Sequence, residues 1–499
     1  MKPSSNHNNT LYYDHDHPDR WITRLYTRSN DPHWNGTGFW VFPILHHHAF
    51  TTHASPLLLV DLMPPTKFTA MPLGDKRRGM KEHPHVGYDT VTWVFQGQVE
   101  IIEEDCTLRR DNNNDKHDSR KRTVLNPGNI SWTSGPVIHA ERHGPDFHQA
   151  GGTMELLEVW LQTPAEYHFW SSSRQTFSAH TLPTVPVYAF QNHPNPKKTR
   201  YHHDHRPESN DAHAPMLVGH AQILAGTYYY QQHLLDEKPE TSSDNTNNIT
   251  RVHGPAHTLS PVQWWNCEMQ QHPVMNDNGG GGSRDDRQEP YWIDDMLFPR
   301  NQVAMILVRR GRVGLVQQSS RNNDDTMRSV QIIGGPAAPL TNSSGTEDDV
   351  DDAAPSSSDS TTTLPQATRT TDNNTTTNQL GLWEVGPQEM AVFDPLPLST
   401  EDANDLTTPA MSQSDSTILE EELDALHMCI LEADTAFVVL GGHALTDQPV
   451  LGQGPFLLSC WQDLSRALTD FPQRTGIFAA DDDDDDDDDG SSNNNLNNT

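Results

Sequence analysis

Two histidines separated by a single residue are the first feature of this sequence that could do chemistry. His83 and His85 lie in the segment Glu82-His83-Pro84-His85-Val86-Gly87-Tyr88-Asp89-Thr90. On a β-strand, residues at i and i+2 project to the same face. If this segment is extended, both imidazoles face one side of a sheet, where they could bind a metal ion.

A second pair of candidate ligands follows downstream. His139 and Glu141 are also separated by one residue, on what the pattern indicates is another strand. Two such pairs on neighbouring barrel strands could converge into a site of three histidines and one carboxylate. These donors suit Fe(II), and they would also hold Mn, Ni, Cu or Zn. Four protein ligands on a six-coordinate ion leave two positions for water, substrate or dioxygen, whereas a closed structural zinc site is less natural without thiolates.

Other histidine clusters have a simpler interpretation. The chain has 28 histidines, so that a single pair is weak support for a metal. The clusters His15-Asp16-His17, His46-His47-His48 and His202-His203-Asp204-His205 lie in polar or irregular stretches, and we interpret them as solvated surface residues.

Three more residues near the two pairs keep open roles. His143 and His148 are interpreted as loop residues, with His143 an alternative ligand. Asp89 could accept a hydrogen bond behind the ligands, act as an alternative ligand, or be a solvated strand residue.

The elements that must position these residues are mostly strands. Short runs rich in β-branched and aromatic residues, separated by Gly and Pro turns, predict an all-β barrel or sandwich. Thr90–Ile102 is predicted as a strand pair turning at Gly97, and Met154–Thr163 as either strand or helix. Helical spacing occurs in Cys460–Phe471, where Trp461, Leu464, Leu468 and Phe471 recur at i, i+3, i+7 and i+10. Aligning Gly97 with Gly311 suggests a duplicated barrel unit.

Polar inserts interrupt these strands. They are rich in Asn, Asp, Ser, Thr or Gly and poor in large apolar residues, so burial cannot offset the entropy of ordering them. We therefore predict disordered surface loops at 111–122, 240–250, 276–288, 319–328, 341–379 and 399–417. The acidic tail that contains the run Asp481–Asp489 is predicted to be disordered as well.

Charge and composition exclude some classes of partner. With 34 Lys and Arg against 68 Asp and Glu, the net charge is −34, which repels nucleic-acid phosphates and anionic membrane surfaces. We expect no direct nucleic-acid or membrane binding. The four cysteines are widely spaced and form no CxxC pair, as in proteins of reducing compartments. No leader-like or spanning apolar run is present in the sequence, so the expected location is the cytoplasm, the nucleus or both.

Several segments together resemble the pirin family. RRGMKEHPHVGYDTVTWVFQGQVE (77–100) resembles the first pirin signature, and PGNISWTSGPVIHAE (127–141) resembles the second. GGTMELLEVWLQTP (151–164) is similar to the segment that closes the first pirin barrel, and 437–471 to the C-terminal ending of the family. This chain departs from the family in having Asp89 where Glu is usual and Val86 where Arg is usual.

The resemblance implies a bicupin, which is two tandem cupin barrels of jelly-roll type with a short C-terminal helix and a metal only in the first barrel. It assigns the metal ligands to His83, His85, His139 and Glu141. The hairpin Val308-Arg309-Arg310-Gly311-Arg312 has no HxH, which agrees with a metal-free second barrel, and its arginines are interpreted as solvated turn residues rather than as an anion site. The expected domains are an extension (1–37), the first barrel (38–185), a linker (186–215), the second barrel (216–475) and the tail (476–499).

Two functions follow from the resemblance. Some pirins are similar to quercetinases, which implies an Fe(II) dioxygenase for a small aromatic, flavonol-type substrate, with Glu141 as fourth ligand and proton acceptor. Other pirins resemble redox-responsive partners of transcription factors, which implies a non-enzymatic, iron-dependent regulator that binds a protein. Trp93, Phe95 and Trp132 are candidates for an apolar pocket beside the metal, or else are barrel core.

Overall fold

The structure is a computed structural model. Most of the strands that the sequence predicts lie among the residues that it describes. The described residues are 22–29, 32–45, 54–72, 74–105, 120–190, 216–231, 249–269, 291–293, 296–316, 331–333, 382–394, 423–445 and 447–471. The predicted inserts and the acidic tail lie outside these ranges, apart from 120–122 and 249–250. Lys121 and Ile249 instead begin strands.

The first unit consists of two facing antiparallel sheets. Its seven-stranded sheet has the order β12-β9-β6-β11-β4-β3-β2, and its four-stranded sheet has the order β5-β10-β7-β8. Their bounds are β2 (His33–Asn35), β3 (Phe39–Leu45), β4 (Leu57–Phe68), β5 (Gly79–His85), β6 (Tyr88–Gln96), β7 (Val99–Asp105), β8 (Lys121–Leu125), β9 (Ile130–Ser134), β10 (Val137–His143), β11 (Gly152–Gln162) and β12 (Ser173–Phe177). A helix, α1 (Pro145–Ala150), connects β10 to β11, and 3-10 turns span Ala165–Tyr167 and Ala179–Thr181.

The second unit also has two sheets, and the larger of them includes a parallel strand pair. A twelve-stranded sheet has the order β22-β1-β24-β20-β27-β17-β14-β13-β18-β26-β21-β23, and a four-stranded sheet has the order β16-β15-β19-β25. Their bounds are β1 (Ile22–Tyr26), β13 (Thr184–Phe190), β14 (Met216–Ala225), β15 (Thr227–Gln231), β16 (Ile249–His253), β17 (Val262–Met269), β18 (Tyr291–Ile293), β19 (Met296–Pro299), β20 (Val303–Arg310), β21 (Val313–Val316), β22 (Gln331–Ile333), β23 (Leu382–Val385), β24 (Glu389–Phe393), β25 (Leu423–Leu426), β26 (Met428–Ile430) and β27 (Ala436–Gly442).

The predicted fold class, all-β with two tandem barrels of cupin type and a short C-terminal helix, is confirmed. The helix α2 spans Trp461–Asp470, within the predicted Cys460–Phe471. Both hairpin glycines adopt the left-handed conformation, with φ +82° at Gly97 and +70° at Gly311, which a residue with a Cβ rarely adopts. Met154–Thr163, left as strand or helix by its sequence, forms most of β11.

The two units exchange their chain ends. The N-terminal strand β1 pairs with β24 in the sheet of the second unit, although the sequence suggested only an extension there. At the other end, the hairpin β28 (Leu451–Gln453) and β29 (Phe456–Leu458) and the helix α2 pack on the first unit. β13 also pairs with β14, so the linker predicted from residue 186 begins inside a strand of the second unit.

An apolar layer joins the two barrels. Trp93 and Trp132 are buried there against Trp264 of the second unit, with ring centroids 6.4 and 6.0 Å apart. Phe95 packs at the edge of the same layer. These three aromatic side chains therefore belong to the apolar core, as the alternative interpretation held, but to the part of the core that lies between the two barrels.

Arg309 corrects the interpretation of the second hairpin. Its side chain is only 1% exposed, and its guanidinium lies 3.4 Å from the centre of the Phe95 ring. Its Nη atoms lie 3.4 Å from Glu155 of the first unit and 3.0 Å from Glu268 of the second. Arg310 and Arg312 are solvated as predicted, with side chains 41% and 49% exposed. Arg309 is therefore an interface residue, because β20 turns its side chain towards the first barrel.

Replacing Arg309 by Met should destabilise the protein by about 3 kcal/mol, because the buried Glu155 carboxylate would lose its counter-charge. The matched variant Arg310→Met, at a half-exposed position, should cost less than about 1 kcal/mol. Denaturant unfolding of both variants measures the difference. Equal losses of stability in the two variants would show that the buried Arg309 side chain contributes no more to stability than the half-exposed Arg310 side chain.

Gly87 marks the contact between the first barrel and the C-terminal hairpin. It has φ +96°, and a Cβ at this position would overlap the carbonyl oxygen of Leu457. Gly74 has φ +101° but has open space around its Cβ position. A residue with a Cβ would therefore be strained at both positions, but it would also collide with a neighbour only at position 87.

We expect Gly87→Ala to displace the hairpin and to cost about 3 kcal/mol. Gly74→Ala should cost only the backbone strain, about 1–2 kcal/mol. Thermal unfolding and the rate of proteolytic cleavage within residues 447–471 are the measurements. A hairpin that is equally protected in both variants would contradict the packing described here.

Candidate metal centre

Two paired strands bring the predicted histidines together. β5 and β10 are antiparallel neighbours, with His83 opposite His139 and His85 opposite Val137. Because the residues at i and i+2 share a face, His83, His85 and His139 all point into the first barrel. A β-bulge follows His139, and it brings Glu141 opposite Met80.

The three imidazoles converge on one point. The Nε2 atom of His139 lies 2.9 Å from Nε2 of His85 and 3.1 Å from Nε2 of His83. His85 and His139 are buried, and His83 is partly exposed. One ligand atom from each of the three lies within 4.8 Å of the other two, and this is the cluster that the described residues offer to a metal ion.

The histidines are prepared for metal binding in their neutral form. His83 Nδ1 lies 2.9 Å from the Lys81 carbonyl oxygen, which can only accept, so Nδ1 carries the proton and Nε2 presents a lone pair. Burial lowers the pKa of His83, and burial together with the neighbouring imidazoles lowers the pKa of His85 and His139 well below the usual value. Three neutral nitrogen donors that face one another form a natural metal site.

Glu141 lies beside the cluster but is held by a hydroxyl group. It is buried, and its Oε1 accepts a hydrogen bond of 3.1 Å from Thr92. The cluster within 4.8 Å comprises the three histidines without Glu141. Burial, together with the charge of Glu158, raises the pKa of Glu141 to about 8. Its role as fourth ligand stays a prediction.

A row of buried acids extends away from the histidines. Glu158 on β11 is the register partner of Thr92 on β6 and of Asp61 on β4. Burial raises the pKa of Glu158, and burial with the charge of Glu158 raises the pKa of Asp61 to about 8. Buried carboxylates are stabilised by a nearby cation, so this interior fits a divalent ion on the histidines.

Asp89, whose role the sequence left open, has hydrogen-bond partners outside the histidine cluster. Asp89 is buried, and it accepts hydrogen bonds from Trp132 Nε1 (2.8 Å) and Thr163 Oγ1 (3.1 Å). Burial raises its pKa to about 6. It faces the inter-barrel side and is neither solvated nor in the histidine cluster.

The prediction that His143 and His148 are loop residues is wrong: His143 ends β10, His148 lies in α1, and both side chains are buried. His143 Nε2 donates to the Gly38 carbonyl oxygen at 2.8 Å, and its ring contacts Phe39, Phe68 and Phe147 edge-on. His148 lies in α1 and is 5% exposed. His143 is not part of the cluster of three histidines. The other histidine clusters of the sequence, at 15–17, 46–48 and 202–205, lie outside the described residues.

Two aromatic residues that lie beside the histidine cluster were not predicted from the sequence as residues of the site. Tyr88 and Trp160 stack with ring centroids 4.4 Å apart, and both contact His85, at 5.1 and 5.2 Å. The alternation of Leu156, Glu158 and Trp160 in the sequence was the available signal, because it puts these residues on one face of β11.

The C-terminal hairpin closes this side of the barrel. The Leu457 amide donates to the Val86 carbonyl oxygen (3.1 Å), and the Tyr88 hydroxyl donates to that of Pro455 (3.1 Å). Val86 and Ile138, next to the ligands on β5 and β10, pack against Phe456, Leu464 and other apolar residues of the hairpin and α2.

The second barrel is filled differently. Its interior is an apolar cluster that includes Trp265, Phe298 and Phe437. That the second barrel binds no metal remains a prediction.

Among the described residues, no helix has the length and apolarity needed to cross a membrane.

Comparisons with known proteins agree with this architecture. Residues 39–161 match the family model described as Pirin. A Pseudomonas aeruginosa protein named "Putative quercetin 2,3-dioxygenase" is 29% identical over 210 residues, which are 42% of this chain and 66% of that protein. A pirin-like protein of Caulobacter vibrioides is 28% identical over 30% of this chain and 46% of its own length. The chain thus spans less than two thirds of these relatives.

The same fold occurs in a solved structure. A crystal structure of quercetin 2,3-dioxygenase from Acinetobacter baumannii aligns with a TM-score of 0.51 at 17% identity, over 93% of this chain and 99% of that one. This likeness supports the fold. The resemblance to pirins that the sequence suggested is confirmed by the family model.

Replacing His139 by Ala should weaken metal binding more than about 100-fold, because changes to groups that merely orient a ligand already cost about 10–100-fold. His143→Ala and the exposed His180→Ala should leave affinity unchanged. Titration of the metal-free protein with Fe²⁺ under nitrogen measures all three. Retained affinity in His139→Ala, or a comparable loss in His143→Ala, would refute the assignment of ligands.

Proposed function

We propose that this chain, which carries a pirin-family domain over residues 39–161, is a metal-dependent dioxygenase that acts on a flavonol-type, quercetin-like substrate. The observation that carries the proposal is the convergence of three neutral imidazoles at one point of a buried barrel interior. The name of the Pseudomonas aeruginosa relative supports the choice of substrate.

Fe(II) is the metal that we propose, although Mn, Ni, Cu and Zn would accept the same donors. The nitrogen–nitrogen distances of 2.9 and 3.1 Å leave the three imidazoles close enough together that all of them could bind one ion. A six-coordinate ion held by four or fewer protein ligands would keep positions open for exogenous molecules.

The protein would contribute binding, orientation and proton transfer. His83, His85 and His139 would hold the metal, which supplies the redox chemistry that side chains lack. The buried interior around His85 and His139 would exclude water from the bound substrate.

Glu141 is proposed as fourth ligand and proton acceptor. A divalent ion on the histidines would favour the ionised form of this buried carboxyl group, which could then take the proton of the flavonol hydroxyl group while Thr92 donates to Oε1. Thr92 would hold the carboxylate in place while the proton moves.

Oxygen uptake with quercetin tests the proposal. The iron-loaded protein should consume oxygen in the presence of quercetin, and His139→Ala should not, because it would lose the metal. Glu141→Gln should lower kcat by about 10²–10⁴-fold through loss of the proton acceptor. The control is His180→Ala, which should match the unmodified protein.

Two other results would count against a dioxygenase. Iron binding without quercetin-dependent oxygen uptake would favour the non-enzymatic, redox-responsive regulator of a transcription factor or another protein. Failure to bind any of the five metals, even after reconstitution, would leave a pirin-like scaffold without the proposed centre.

A further inference from the structure

A second buried carboxylate lies next to the histidine cluster, on the strand that flanks β10. Glu103 on β7 is the register partner of His139 on β10, and His83 lies on the other flanking strand, β5. Register partners on antiparallel strands project to the same face of the sheet, with their Cβ atoms about 4.5–5.5 Å apart. The Glu103 side chain, which is 6% exposed, therefore extends into the first barrel beside His139.

Two residues of the opposite sheet hold the Glu103 carboxylate. Thr133 on β9 donates to its Oε1 at 2.6 Å, and Arg174 Nη1 on β12 lies 2.5 Å from its Oε2. The Arg174 side chain is 14% exposed, so this ion pair is largely shielded from water. Burial raises the pKa of Glu103, whereas the charge of Arg174 and the Thr133 hydroxyl group oppose that rise. Lys121, the exposed register partner of Glu103 on β8, adds a weaker positive charge.

The charge of Glu103 acts on the surroundings of the histidines. Burial, the charge of Glu158 and, less strongly, the charge of Glu103 raise the pKa of Glu141, which lies two residues after His139. Charges interact over several ångströms in a barrel interior, because little water screens them there. A negative charge at this place stabilises a trivalent ion on the histidines more than a divalent ion, and a positive charge paired with it offsets that preference.

We propose that the ion pair of Glu103 and Arg174 sets the reduction potential of iron bound at the histidine cluster. Glu103 favours Fe³⁺, and Arg174 offsets this effect, so that the pair preserves the Fe(II) state on which the proposed function depends. Neither residue is a ligand, because each acts on the metal through its charge. The couple takes up one electron and leaves the protein ligands in place. This inference rests on the proposed function, since it requires iron on the three histidines.

Redox titration of the iron-loaded protein under nitrogen, with dithionite as the electron donor, tests the pair. Glu103→Gln keeps the size of the side chain and removes the negative charge, so it should shift the equilibrium about tenfold towards Fe²⁺. For a one-electron couple this is a potential about 59 mV higher. Arg174→Met leaves the carboxylate without its counter-charge and should lower the potential by a similar amount. The double variant should return towards the potential of the unmodified protein.

Glu100 provides the matched control on the same strand. Like Glu103 it is 6% exposed, and it forms an ion pair of 2.7 Å with Arg77. Because Glu100 lies three residues from Glu103 on β7, its side chain projects to the other face of the sheet. Glu100→Gln should therefore leave the potential unchanged, and so should Arg174→Lys, which keeps the positive charge. Zn²⁺, which has no redox chemistry, should still bind every variant if the three histidines remain in place.

The outcomes separate this inference from the proposed reaction. Quercetin-dependent oxygen uptake with the same potential in all variants would overturn the role of the pair and leave the dioxygenase standing. Opposite shifts of potential in a protein that takes up no oxygen with quercetin would support the pair and remove the reaction. Shifts of the same sign in Glu103→Gln and Arg174→Met, or an equal shift in Glu100→Gln, would also overturn the inference, because a general disturbance of the barrel would then explain them.

Discussion

The register of β5 against β10 is the constraint on which the centre depends. It sets His83 opposite His139, and the strand periodicity then brings His85 to the same face. A shift of one residue would turn the side chains of one strand to the outside of the barrel. The β-bulge after His139 accommodates the change of register between the two strands. Thr92 on β6 then donates a hydrogen bond to the Glu141 carboxylate.

Because the two units exchange their chain ends, the metal centre also depends on residues outside the first barrel. The hairpin Leu451–Leu458 binds the backbone at Val86 and Tyr88, which immediately follow the histidine pair. β1 makes the reciprocal contact with the second barrel. Arg309 adds a charged contact through the apolar layer between the barrels. The environment of the metal centre is therefore a property of both units.

Local patterns in the sequence predicted the local features well. The HxH and HxE spacings located the ligand strands, Gly97 located a hairpin, and the apolar spacing of 461–471 located α2. The pirin resemblance predicted the tandem barrels.

Long-range features were not predictable from these patterns. No local signal pairs Tyr88 with Pro455 or β1 with β24, because such contacts join residues more than 300 positions apart. β6 is buried on both faces, so its apolar run could not indicate that Trp93 faces the second barrel and Tyr88 faces the histidines. Arg309 was misjudged because a charged residue beside a turn is usually solvated, and its partners Phe95 and Glu155 come from the other unit.

The dependence of the first barrel on the last strands affects how the protein is made. A ribosome releases the histidine strands long before residues 451–471, since about 300 residues lie between β11 and α2, or about 15–60 s of translation at typical speeds. During that interval Val86 and Ile138 have no apolar cover from Phe456 and Leu464. A nascent chain would thus carry its metal ligands beside an uncovered apolar surface. The surroundings of the centre mature only after the C-terminal segment has been synthesised.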